Sequence, residues 1–170
     1  KKFLCVTKMI RNARPEDAGA MTDIYNFYIR ESVATFDTDP LPTTTMSRHI
    51  ASASEGYPCL ICEEEGQVAG FCYAHPWKEK TAYRHTLETT VYLHPEHTGK
   101  GLGRQLMERL IETCRTNGFH VLIACITGGN EASIALHQSL GFKQVSRFEK
   151  VGLKFGRQLD VVDFELELQP

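Results

Sequence analysis

Hydrophobic and polar positions change their spacing along the chain, and each change marks an element. A short strand is expected around Met9–Ala13. Pro15-Glu16-Asp17 then opens a helix, because a proline in the first turn and two acids suit the positive end of its dipole. Met21, Ile24, Tyr25 and Tyr28 fall on one face of that helix. A loop rich in Thr, Asp and Pro, Thr35 to Thr44, leads to a short helix near Met46–Ser54, with threonines placed to cap it. Two strands follow, Cys59–Glu65 and Gln67–His75, joined by the turn signal Glu65-Gly66-Gln67. After a loop from Pro76 to His85, the strand Leu87–His94 alternates and Pro95 ends it. Leu102, Leu106, Leu110 and Cys114 step by four, with Met107 and Ile111 beside them, giving an amphipathic helix from about Gly101 to Asn117. A buried strand (His120–Thr127), a helix (about Glu131–Leu140, stopped at Gly141) and two strands within Lys143–Leu168 complete the order.

This order predicts a single α+β domain over residues 1–170, a three-layer α/β arrangement with a mixed, mostly antiparallel central sheet flanked by helices. Residues 1–8 are expected to form a poorly structured extension. No repeat or linker divides the chain.

Composition narrows the partners. The formal charge of −2 gives no global reason to expect nucleic acid or an anionic membrane. With 42% hydrophobic and 24% charged residues the chain is far from disorder, and no apolar run approaches the roughly 20 residues a membrane helix needs. The chain is therefore expected to be soluble. Of the six cysteines, most sit in apolar stretches as small hydrophobes. Cys59-Leu-Ile-Cys62 has the spacing of half a zinc site, but no second Cys/His pair follows at metal-binding distance, so no metal is expected. Reduced thiols in the cytoplasm are the simplest account.

The chemistry concentrates between Leu87 and Phe142. Thr98-Gly99-Lys100-Gly101-Leu102-Gly103 joins a strand to a helix, and glycines at alternate positions let successive N–H groups turn into one concavity at the helix start. Such a turn either binds a phosphate or pyrophosphate, or needs glycine only for its backbone angles. It lacks the earlier glycine of a P-loop, and Leu106 replaces the third glycine of a dinucleotide fingerprint.

Here the segment resembles the GCN5-related N-acetyltransferases (GNAT), whose (Gln/Arg)-x-x-Gly-x-(Gly/Ala) loop binds the pyrophosphate of acetyl-CoA. Thr98 stands where Gln or Arg is usual. The second half of the pattern, Asn130 to His137 ending in Leu140-Gly141-Phe142, follows in order. Ala34-Thr35-Phe36-Asp37-Thr38, Ala82 to Glu88, Thr90 to Leu93 and Val151 to Gly156 are similar to the phosphinothricin and methionine sulfoximine acetyltransferases, from Ile10 onward. The resemblance implies the GNAT fold and an enzyme moving acetyl from acetyl-CoA to the α-amino group of a small amino acid such as phosphinothricin, methionine sulfoximine or methionine sulfone. It implies a homodimer as well. For the coenzyme it points to Val91, Tyr92 and Leu93, to Thr98, Gly99, Lys100, Gly101, Leu102, Gly103 and Arg104, and to Asn130 and Ser133. The pantetheine arm would run between two splayed strands, Leu87–His94 and His120–Thr127. Other amines (polyamine, antibiotic, peptide N-terminus) or a non-catalytic acyl-CoA-binding role are the rival readings.

Strand alternation puts Glu88, Thr90, Tyr92 and His94 on one face and Leu87, Thr89, Val91 and Leu93 on the other, so the polar face is expected to look into a cleft. An ammonium must lose a proton before it attacks a thioester, and Glu88 is the carboxylate placed to take it; the alternative is a strand acid paired with a base. A covalent acetyl-cysteine route is disfavoured, since no cysteine is placed beside Glu88 on its strand face. His137, two helical turns after Asn130, is either the proton donor or a substrate ligand, or a helix histidine satisfied by a backbone carbonyl. A backbone N–H near Tyr92 or Leu93 would stabilise the oxyanion. His75, His85, His94, His97 and His120 are expected to be structural or solvated. Lys78, Lys80 and Arg84, with Glu79 and Tyr83 among them, are either solvated surface or the seat of an anionic substrate group. Phe36 and Tyr92 would touch the substrate stem, with Thr89 and Thr90 nearby.

Overall fold

The computed structural model describes residues 8–168. Seven strands form one sheet in the order β1-β2-β3-β4-β5-β7-β6. They are β1 Lys8–Asn12, β2 Cys59–Glu64, β3 Gln67–Pro76, β4 Thr86–Leu93, β5 Val121–Thr127, β6 Lys143–Lys154 and β7 Arg157–Glu167. Four helices cover it: α1 Ala18–Glu31, α2 Thr43–Ala51, α3 Leu102–Thr116 and α4 Glu131–Ser139. Every strand pairing is antiparallel except β4–β5, so the mixed, mostly antiparallel sheet is as expected. Of the extension expected over residues 1–8, residue 8 already lies in β1 and the remainder falls outside the described residues.

Two apolar clusters, one on each face, hold the layers together. Leu102, Leu106, Met107, Leu110 and Cys114 of α3 pack with Leu87, Leu122, Ala124 and Phe164 of the sheet. On the other face Met21, Ile24, Tyr25 and Ile29 of α1 and Met46 and Ile50 of α2 cover Ile61, Phe71 and Tyr73. At the start of α1, Arg11 forks onto Asp17 at 2.7 and 3.0 Å, and the backbone N–H of Arg14 donates to the same carboxylate. The β2–β3 hairpin closes on Glu65 (φ 52°) and Gly66 (φ 78°), both left-handed as a two-residue turn with the sheet's twist requires. The threonines expected to cap α2 do not: the cap residue is Pro42, with no side-chain bond, because the helix begins at Thr43 itself. Cys59 and Cys62 are buried free thiols in β2.

What positions the site is the one parallel pairing. β4 and β5 are in register only over Thr86–Glu88 and Val121–Ile123, after which the strands part. His94 N–H donates to Ala69 O and Trp77 N–H to Thr86 O on the β3 side. The alternation of an antiparallel ladder then turns the backbone groups of Thr89, Val91 and Leu93 away from β3, into the gap.

Candidate active site

Glycine geometry forms the first wall of the gap. Gly99 and Gly101 have φ of 75° and 80°, a left-handed conformation that lets the loop curl into the start of α3. Gly103, in the first turn of α3, faces Leu136 of α4 and Leu93 of β4. Thr98, Gly99, Gly101, Gly103 and Arg104 line one end of a cleft of about 520 Å³. Val91 to Leu93 and Ala124 to Thr127 form its sides, and Asn130, Ser133 and His137 close it. Asn130 caps α4, its Oδ1 accepting from Ser133 N–H at 3.3 Å, which leaves its NH₂ uncommitted.

Two members of the expected coenzyme loop face elsewhere. Lys100 reaches Glu64 Oε2 at 3.4 Å instead of the cleft, beside His97, whose Nδ1 is 2.6 Å from the same oxygen. Desolvation would raise the buried Glu64 carboxyl, but its contacts with His97 and Lys100 hold it below its ordinary range. Leu102 is fully buried in the core, so only its backbone can serve the loop.

A second cavity of about 260 Å³ shares Ala34, Thr89, Thr90, Tyr92 and Cys125 with the first, and Glu88 and Phe36 belong to it. Of the polar face expected for β4, Glu88, Thr90 and Tyr92 line the cavities and His94 lines neither one. Tyr92 is also packed by Tyr25, Tyr28 and Phe71, with ring centres 5.0, 5.1 and 6.0 Å away. Its hydroxyl donates to Ala34 O at 3.2 Å. Thr89, on the opposite face, is buried beside Ile123 O.

Glu88 is held from two sides. His75 Nε2 stands 3.1 Å from Oε2, and Cys125 Sγ–H donates to Oε1 at 3.1 Å. The histidine contact keeps the Glu88 carboxyl below the ordinary carboxylate range, against partial desolvation, and the same contact raises the His75 imidazole. Neither neighbour follows from the pattern of β4 alone. The β3–β4 register sets His75 opposite Glu88. A cysteine does stand beside Glu88, carried on β5, and burial together with the Glu88 charge pushes its thiol up, away from thiolate character.

His137 is buried, with Nδ1 2.7 Å from Ser133 O and its ring edge-on to Phe142. A carbonyl only accepts, so Nδ1 carries the proton, and burial lowers the imidazole toward its neutral form. Its one hydrogen is thus committed, as in the backbone-satisfied reading. Lys78, Glu79, Lys80, Tyr83 and Arg84 line neither cavity. Lys78 lies 4.3 Å from the centre of the Trp77 ring and 5.6 Å from that of Tyr83, and Arg84 turns back to Thr81 O.

Lys154, within the Val151–Gly156 segment of the resemblance, has a role that the sequence did not reveal. Buried on β6, it donates to Ser32 O at 2.7 Å and Thr35 O at 2.8 Å. It thereby ties down the α1–α2 loop that presents Ala34 and Phe36 to the cavities. Gly152 supports the same loop, since a Cβ there would meet Phe36 at 2.4 Å.

Comparison with known proteins agrees with this geometry. An L-amino acid N-acyltransferase, MnaT, of Escherichia coli is 43% identical, the alignment covering 94% of this chain and 93% of that protein. An L-methionine sulfoximine/L-methionine sulfone acetyltransferase of Salmonella typhimurium is 41% identical, covering 94% of each. The crystal structure of a phosphinothricin acetyltransferase from Sinorhizobium meliloti in complex with acetyl-CoA superposes with a TM-score of 0.90 at 36% identity, covering 95% of this chain and 88% of that one. Residues 21–142 match the acetyltransferase (GNAT) family. With a glycine cradle at the head of α3, a parted β4–β5 pair and a carboxylate where the two cavities meet, the chain belongs to that family.

Proposed function

We propose that this protein transfers an acetyl group from acetyl-CoA to the α-amino group of a small amino acid of the methionine sulfoximine, methionine sulfone or phosphinothricin type. The observation that carries the reading is the position of Glu88, on the wall of the smaller cavity where it joins the long cleft.

The residues fit the coenzyme. The N–H groups at the Gly99–Gly103 turn and the head of α3 favour a diphosphate, and Arg104 adds a cation on the cleft wall. Val91 and Leu93 offer backbone groups in the gap, and Asn130 offers its amide. Acetyl-CoA supplies a thioester carbonyl activated toward attack by an amine.

In the mechanism Glu88 takes the proton from the acceptor's ammonium, freeing the nitrogen lone pair. The N–H of Leu93 or Val91, in the gap, is the oxyanion donor; that of Tyr92 is committed to β3. Neutral His137, its Nδ1–H held by Ser133, does not protonate the departing thiolate; as the tetrahedral intermediate collapses and the C–S bond breaks, the nitrogen's second proton passes to that sulfur and CoA leaves as the thiol. Phe36 and Tyr92 flank the substrate stem, with Thr89 and Thr90 beside them. The loop carrying Lys78, Glu79, Lys80, Tyr83 and Arg84 leaves β3 just after His75, at the Glu88 end of the sheet, and meets the anionic end of the acceptor from the rim. The chain acts as a homodimer, a role for the apolar side chains Phe148, Val151, Leu153 and Phe155 exposed on and beside β6. Its free thiols suit the cytoplasm.

Thiol release from acetyl-CoA with a panel of acceptors tests the assignment. Turnover with methionine sulfone or sulfoximine is expected, and turnover only with polyamines or peptides would refute the substrate class. Glu88→Gln should lower kcat by about 100-fold or more with acetyl-CoA affinity unchanged. Near-normal turnover would remove Glu88 as the base.

A further inference from the structure

We propose that His75 completes the base: the acceptor's proton is taken by Glu88 and leaves through the imidazole of His75 beside it, while Cys125 fixes the carboxylate. This rests on the reading of Glu88 as the group that meets the amine.

The geometry assigns the protons. His75 Nδ1 lies 3.0 Å from Pro76 O, which only accepts, so Nδ1 carries a hydrogen in either charge state. Nε2 is therefore the atom that gains and loses a proton, and it faces Glu88 Oε2 at 3.1 Å. On the far side Cys125 Sγ–H donates to Oε1, and Cys125 in turn neighbours Asp163 of β7. The other groups around His75 are the Tyr73 ring at 6.0 Å and, from α2, the His49 ring at 5.9 Å, with Arg48 beyond it. Burial keeps His49 uncharged near neutrality, its value pushed down to about 4. Among these, Glu88 does most to stabilise a cation on His75, and Pro76 O adds to it. His75 keeps 32% of its side chain exposed, which gives the proton a way to solvent.

A carboxylate held below its ordinary range is a poor base toward an ammonium, whereas an imidazole raised from 6.5 has a proton affinity suited to neutral pH. In the reactive state the pair is carboxylate and neutral imidazole. The ammonium N–H bond breaks with its electrons left on nitrogen, and the proton passes to Glu88 Oε2. From there it moves to His75 Nε2, giving carboxylate and imidazolium, and the imidazolium returns it to water. Titration belongs to the pair rather than to either residue alone.

The test is kcat/KM for thiol release with methionine sulfone from pH 5 to 9, for the wild type, His75→Gln and Glu88→Gln. The wild type should have an acid limb with its midpoint above 6.5, so that at pH 5.5 it keeps about a tenth or less of its plateau. Glutamine still donates to Glu88 but cannot titrate. His75→Gln should therefore lower the plateau about tenfold or more and move the limb down by about a unit or more, keeping roughly a third or more of its own plateau at pH 5.5. An unchanged limb and plateau in His75→Gln, beside an inactive Glu88→Gln, would overturn the relay and leave the base standing. An active Glu88→Gln would overturn both. Should His75→Gln fail to bind acetyl-CoA, imidazole NMR of the wild type decides. One histidine must titrate at the kinetic midpoint and shift downward in Glu88→Gln, and its absence would overturn the proposal.

Discussion

Replacing Lys154 by methionine isolates what one buried cation does for the acceptor side of the site. The side chain is 4% exposed, and its ammonium donates to Ser32 O at 2.7 Å and Thr35 O at 2.8 Å, with Tyr28 O at 3.5 Å. Methionine fills nearly the same volume and donates nothing. Hydrogen bonds from a charged donor contribute about 1.5–3 kcal/mol each. Two strong ones total about 3–6 kcal/mol, offset by the desolvation that already lowers the Lys154 ammonium. A net loss of about 3 kcal/mol is expected, which for a chain of this size lowers Tm by about 6–12 °C. The loop released is the one that presents Ala34 and Phe36, so KM for the amino acid should rise while acetyl-CoA affinity, held mostly at the glycine turn, changes little. Thermal melts and separate titrations of the two substrates measure this. A Tm within about 1 °C of wild type, or equal weakening of both substrates, would refute the assignment of Lys154 to that loop.

Gly152→Ala probes the same contact from the other side. Its Cβ would land 2.4 Å from Phe36, and displacing the ring should change KM for the acceptor by about fivefold or more at nearly constant acetyl-CoA affinity, as enzyme kinetics would register. Stability should also fall in acid before the carboxylates titrate. His49 takes up a proton near 6.5 when unfolded but only near 4 when folded, so the unfolded chain binds more protons between those values. Relative to His49→Phe, the wild type should lose about 2 kcal/mol between pH 7 and pH 5, measured by denaturant unfolding.

The order of elements was legible because each carries a local signal: the four-residue step of Leu102, Leu106, Leu110 and Cys114, the left-handed pair Glu65-Gly66, and Pro95 after β4. The glycine turn was legible for the same reason. What escaped depends on which strands become neighbours. His75 meets Glu88 through the β3–β4 register, which counting outward from the 77–85 loop would have given. Cys125 meets Glu88 only because β5 pairs parallel with β4, and nothing local to Leu122-Ile123-Ala124-Cys125 records that pairing. Tyr92 does line the cavities as its alternation suggests, but its aromatic neighbours Tyr25 and Tyr28 come from α1, far along the chain. Lys154 lies in the Val151–Gly156 segment that carries the resemblance, yet nothing local gives its role, since its three acceptors are main-chain carbonyls more than a hundred residues away.

The early parting of β4 from β5 gives the sheet an interior edge, sheltered from other chains by the helices on either side. An exposed edge of this kind recruits stray strands; an internal one admits only a slender guest with amide-like groups in series. In the proposed function recognition there is by main chain, so side chains at Val91 and Leu93 could be exchanged for others of similar bulk without erasing the slot. Acceptor choice, on the same proposal, is written in side chains such as Phe36 and Glu88. A scaffold divided in this way can keep its acyl donor while its acceptor is retuned, and substitutions confined to the α1–α2 loop and the end of β6 beneath it are where such retuning would begin.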